Sequence, residues 1–140
     1  IGGSGGVGIA AVVLVHTDSV TASVGDSAEI TALGAGTGVQ AATGEWNDGW
    51  VEETTSGVVV TAVSHEDIVA MAIGGSGGGS AGVAGSGVVD VLLETTRAEI
   101  GENVRINHGA AGLEPDQRVL VAAADHTSLF ALAGALAGGG

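Results

Sequence analysis

Three tracts of this 140-residue chain satisfy the Gly-x-Ser-x-Gly pattern of a hydrolase nucleophile: Gly2-Gly3-Ser4-Gly5-Gly6, Gly74-Gly75-Ser76-Gly77-Gly78 and Gly78-Gly79-Ser80-Ala81-Gly82. A nucleophilic serine must sit on a sharp strand-to-helix turn, with a His and an acid to draw off its proton. Three matches in a chain with 27 glycines reflect composition, and a helical segment follows none of them. Gly3-x-Gly5-x-x-Gly8 and Gly77-x-Gly79-x-x-Gly82 also match the dinucleotide fingerprint. That motif works only where it opens a helix whose N-terminus holds the pyrophosphate. Here Gly8 is followed by Ile9-Ala10-Ala11-Val12-Val13-Leu14-Val15, which reads as a strand. No catalytic and no cofactor-binding residue is expected.

Histidines beside carboxylates are the next candidates, since imidazole with a carboxylate serves both proton transfer and metal ligation. His65-Glu66-Asp67 and Asp125-His126 stand at matching places in the chain, and His16 lies two before Asp18. The expected reading is a solvated loop between strands. Calcium-binding β-rolls need an Asp within each glycine turn, and these glycine tracts contain none. No metal site is expected.

One segment has local character. Glu45-Trp46-Asn47-Asp48-Gly49-Trp50-Val51-Glu52-Glu53 holds both tryptophans of the chain and four acids. Asn47-Asp48-Gly49 is a tight-turn signal, so two short arms would carry Trp46 and Trp50 around a hairpin tip. Trp46, Asp48 and Trp50 are then candidates for contact with a protein or glycan, because exposed Trp with a polar rim suits recognition. The competing reading has the two rings covering a flank of the fold. A loose cation site among Glu45, Asp48, Glu52 and Glu53 is a weaker candidate.

The elements that would carry these residues are set by a repeat. Ile1-Gly2-Gly3-Ser4-Gly5-Gly6 returns as Ile73-Gly74-Gly75-Ser76-Gly77-Gly78, an offset of 72. The stretch from Thr21 to Ile30 returns from Arg97 to Ile106 at an offset of 76. Ser64 to Ala72 then matches Asp125 to Ala133 at 61. Copy one therefore spans residues 1–72, with an insertion at about 36–56, copy two spans 73–133, and 134–140 open a third. Because the chain starts on Ile and stops in a glycine run, it is expected to be a segment of a longer polypeptide.

Within each copy the apolar residues keep a period of two. Val20, Ala22 and Val24 alternate with Thr21 and Ser23, and Val104 and Ile106 alternate with Arg105 and Asn107. Such alternation puts apolar side chains on one face of a strand. Gly25-Asp26 and Gly101-Glu102 separate alternating runs at equivalent places, so a glycine corner belongs to the repeat. No segment carries a capped helical stripe. The expected class is all-β: a β-solenoid (β-helix) built from two imperfect repeats, with a β-sandwich as the alternative. If a rung takes about 20 to 30 residues, each copy holds several rungs.

Composition narrows function. With three Arg, no Lys and a formal charge of −13, the chain lacks the cations that displace counterions from nucleic acid. It is equally unsuited to anionic membrane surfaces. Residues 68–89 carry no charge, but half of them are Gly and Ser, which supply too little transfer energy for membrane insertion. An acidic chain without Lys or Cys fits an extracellular or cell-surface setting.

The pair Ala22-Ser23-Val24-Gly25-Asp26-Ser27-Ala28-Glu29-Ile30 and Ala98-Glu99-Ile100-Gly101-Glu102-Asn103-Val104-Arg105-Ile106 resembles the repeats of giant secreted bacterial adhesins. These are of the filamentous-haemagglutinin and leukotoxin-like type, and occur also in autotransporter passengers. Thr95-Thr96-Arg97-Ala98-Glu99-Ile100-Gly101-Glu102 fits their order, as does Val121-Ala122-Ala123-Ala124-Asp125-His126-Thr127-Ser128. The resemblance covers nearly the whole chain except the insertion. It implies an extended extracellular β-helical stalk and carries over no catalytic residue.

The expected function is a structural segment of an extracellular filament or adhesin stalk, without catalysis. Its partners are neighbouring repeats of the same chain, or identical subunits end to end, with a protein or glycan as ligand class. Two alternatives stand beside it: a fibre subunit that polymerises non-covalently, and a β-helical polysaccharide-active passenger. The latter would need bases and sugar-stacking aromatics that are scarce here.

Overall fold

The computed structural model describes residues 3–140; Ile1 and Gly2, which open the first repeated tract, lie outside the described residues. Alternation and β-branched side chains favour extended chain, and eight strands form. They are β1 (Gly5–Val24), β2 (Glu29–Ile30), β3 (Val39–Trp46), β4 (Trp50–Thr55), β5 (Gly57–Gly78), β6 (Ala81–Ile100), β7 (Arg105–Ile106) and β8 (Arg118–Gly139). The fold is all-β, with no helix among the described residues. Accordingly, among them no helix is long and apolar enough to cross a membrane.

Four strands run for 20 to 22 residues, longer than the separate alternating runs read from the sequence. The reason is that alternation continues through the glycine tracts, with no Pro or Asx turn to end it. Residues 12–15 and 20–24 thus belong to one strand, β1. His65 and His126 correspondingly lie inside β5 and β8, not in loops.

The strands pair two by two, β1 with β6, β2 with β7, β3 with β4 and β5 with β8. These small sheets do not close into a coil. β2 and β7 are parallel, with Glu29 opposite Arg105 and Ile30 opposite Ile106. Both pairs are 76 residues apart, the offset at which the sequence repeats. Backbone bonds continue that register, from Arg105 N–H to Ala28 O and from Asn107 N–H to Ile30 O, each 2.8 Å. The bond from Arg118 N–H to Ser56 O, also 2.8 Å, follows the 61-residue offset instead. In β2–β7, and where β8 begins beside β5, the hydrogen-bonded neighbour is therefore the residue at the repeat offset. Several rungs within a copy, as expected from rung length, are not found: paired strands of this kind are one whole copy apart.

The two glycine corners stack on each other. Gly101 N–H donates to Val24 O at 2.8 Å, Ser27 N–H to Glu102 O at 2.7 Å, and Glu102 N–H to the Asp26 carboxylate at 2.7 Å. The left-handed positions are taken not by the glycines but by Ser27 and Asn103, at φ 59° and 56°. Glycine is needed at 101 for space, since a Cβ there would meet the Asp26 side chain and, at 2.8 Å, its backbone nitrogen. Beyond the corner the Asn107 carboxamide bonds Ala32 twice, accepting from its N–H at 2.7 Å and donating to its O at 2.9 Å. A side chain thereby extends the β2–β7 ladder by one position.

The chain forms two compact units. The first contains residues 3–18, 66–94 and 127–140, and the second 19–65 and 95–126. In the first unit, β1 and β5 approach so closely that a Cβ on Gly8 would collide with the Gly75 carbonyl. Its alternate positions Val7, Ile9, Val13 and Val15 on β1, and Val89, Val91 and Leu93 on β6, point outward and are exposed. In the second unit Ala41, Val58, Val60, Ala62 and Ala122 are buried, as is Thr55.

Candidate functional site

Two clusters bring chemically capable side chains together, one in each unit. The first is built on the insertion. β3 and β4 form an antiparallel hairpin in which Trp46 and Trp50 face each other across the turn. The turn is Asn47-Asp48-Gly49, with Asp48 at φ 54°, so the expected hairpin tip is present. Trp46 meets Trp50 edge to face, with ring centroids 5.1 Å apart. It also stacks on His126, at 4.1 Å and 10° between planes, and lies 4.4 Å from His65. His65 and His126 are repeat counterparts, brought to 5.4 Å from each other on the paired strands β5 and β8. Gly44, at φ 91°, lets the hairpin settle over Ala122 and Ala124, which accounts for the burial of Ala122.

Trp46 and Trp50 are thus half-buried, while Asn47 and Asp48 are exposed at the tip. Apolar and stacking contacts hold the hairpin down, aided by the Arg118 guanidinium, which is 2.8 Å from Glu53 and 3.2 Å from Thr54 O. Glu45, Asp48, Glu52 and Glu53 do not converge into a three-ligand group among the described residues. The corner residues Gly25, Asp26, Gly101 and Glu102 serve the stacking of copies, as described above.

The second cluster was not legible in the sequence. His16 on β1, Glu66 on β5 and Glu94 on β6 place their ligand atoms within 4.8 Å of one another. His16 Nε2 is 2.8 Å from Glu66 Oε2. Thr127 donates its hydroxyl to Glu94 Oε2 at 2.7 Å. His16 Nε2, Glu66 Oε2 and Glu94 Oε1 are all shielded from solvent. Hydrogen bonding to Glu66 raises the His16 pKa above its ordinary 6.5; desolvation opposes this, and the charges of Glu66, Glu94 and Asp18 reinforce it.

Sequence proximity had pointed elsewhere, pairing His16 with Asp18 and His65 with Glu66. Successive side chains of a strand face opposite ways, and this parts His65, which joins Trp46, from Glu66, which joins His16. The usable signal was the phase of the alternation. His16, Glu66 and Glu94 share the phase of Leu14, Ile68 and Leu92, the less exposed positions of their strands.

Compared with protein-family models, with curated proteins and with solved structures, the chain matches none.

Proposed function

We propose that this chain is a structural segment of an extracellular filament or adhesin stalk, in which successive copies stack as turns of a β-solenoid. The observation that carries the reading is the parallel pairing of β2 with β7 at the repeat offset. Copy-on-copy stacking at strand spacing is the defining contact of such arrays. A sandwich of antiparallel strands has no reason to pair residues at their repeat spacing. The corner bonds support the same reading, because Asp26 and Glu102 are equivalent residues of adjacent copies.

A repeat in an array leans mainly on its neighbours. The outward partners of each strand edge are then further copies, whether in one chain or in identical subunits end to end. Trp46 holds the hairpin on β5 and β8, which leaves the exposed tip at Asn47 and Asp48 as the place for a protein or glycan contact.

The test is particle length against copy number. Chains carrying two, four and six copies, measured by small-angle scattering, are expected to lengthen along one axis at constant cross-section. A compact particle whose radius grows with the cube root of mass would sink the proposal.

A further inference from the structure

We propose that His16, Glu66 and Glu94 bind a divalent transition-metal ion of the zinc class, and that the ion joins two successive copies of the repeat. The inference goes beyond the filament reading and stands on the cluster alone.

The electrical balance of the site favours a cation. Two carboxylates and one imidazole share a space where the facing atoms of all three are shielded from water. Burying charge without compensation is costly, and a like-charged pair of carboxylates adds repulsion. A protonated His16 offsets only one of the two negative charges. A divalent cation with a neutral imidazole offsets both.

The geometry is close to that of a metal site. The ligand atoms lie within 4.8 Å of one another, while zinc holds nitrogen and carboxylate oxygen at about 2.0–2.2 Å. Small side-chain rotations would bring all three onto one ion. Glu94 is already oriented through its other oxygen by Thr127 at 2.7 Å, the outer-shell support that metal-ligating carboxylates commonly have. One imidazole nitrogen with two carboxylates suits zinc or manganese, whereas calcium prefers six to eight oxygens.

The ligands come from both copies. At the repeat offsets, the counterpart of His16 is Leu92, that of Glu66 is Thr127, and that of Glu94 is Asp18. The site is not a motif written once per copy. His16 and Glu66 come from the first copy and Glu94 and Thr127 from the second, so the ligand set exists only where the two meet.

The test uses the 140-residue chain stripped with EDTA and titrated with zinc chloride by calorimetry. One saturable equivalent is expected, with a melting temperature that climbs with free zinc. His16→Gln and Glu94→Gln should each weaken binding at least about tenfold, and Thr127→Val about tenfold. His108→Gln, at an exposed position, should leave it unchanged. Since a variant can fail to fold, imidazole ¹⁵N spectra of the wild-type chain supply a second readout. Zinc should shift His16 Nε2 ahead of His65, His108 and His126. Absence of saturable binding, or a response at other histidines with His16 unmoved, would overturn the site. Calcium binding as tight as zinc binding would overturn the assignment of the ion.

Discussion

The indole of Trp46 lies flat on the imidazole of His126, 4.1 Å between ring centres and 10° between planes. This contact fastens an inserted hairpin to a strand that the repeat itself provides. Trp46→Ala removes that stack together with the contacts to His65 and Trp50, and is expected to cost about 2 kcal/mol. Trp50→Ala, which removes only the edge-to-face contact with Trp46, should cost less. Urea unfolding followed by far-ultraviolet circular dichroism gives the comparison. Equal midpoints for Trp46→Ala and wild type would mean that the hairpin contributes nothing to stability.

Gly25 and Gly101 are equivalent in sequence but not in surroundings. A Cβ on Gly25 meets nothing within 4 Å, whereas one on Gly101 runs into Asp26. Gly101→Ala is expected to destabilise by about 1–3 kcal/mol through overpacking, and Gly25→Ala to change stability by less than about 0.5 kcal/mol. Matched losses at both positions would show that backbone conformation, not the stacked corner, requires the glycine.

Asp90 occupies the position that Leu14 holds in the first copy, at the 76-residue offset. Its Oδ1 is shielded and has no hydrogen-bond partner among the described residues. Replacing an unsatisfied acceptor with an apolar side chain of similar size relieves a desolvation cost of about 1–3 kcal/mol. Asp90→Leu should therefore raise the denaturation midpoint, and a lower one would place a bound water or ion on that carboxylate.

His16 makes metal-free stability depend on pH. Its folded pKa is raised by the hydrogen bond to Glu66, so the folded state holds the proton more tightly than the unfolded chain does. That contribution is complete below the unfolded value near 6.5 and is lost as pH rises through the raised folded value. With EDTA present, the wild-type midpoint is expected to fall as pH rises above 6.5, and His16→Gln should flatten the fall. A midpoint that climbs over this range in the wild type alone would reverse the assignment.

The sequence exposed the strands through alternation, and the register through the repeat, because the offset between Ile30 and Ile106 is also their pairing in space. It hid two things. The length of β1 and β5 was obscured because glycine carries no alternation of its own, so tracts such as Gly74-Gly75 looked like breaks. The union of His16, Glu66 and Glu94 was hidden because it depends on which strands come together, and no local spacing encodes a meeting of residues 50 and 28 positions apart. Glu66 stood next to His65 in sequence, and the pleat turned it to His16 instead, whereas Asp18, two residues from His16, keeps the same face.

Because paired strands are one whole copy apart, a chain that keeps this register advances only about 4.8 Å for every 61 to 76 residues added. In the proposed array, reach is therefore expensive in residues. In such an array, whole copies would be gained or lost by unequal recombination without disturbing the pairing of the rest. The length of the proposed array would be a heritable quantity that changes in unit steps, with thickness fixed by the span of the strands.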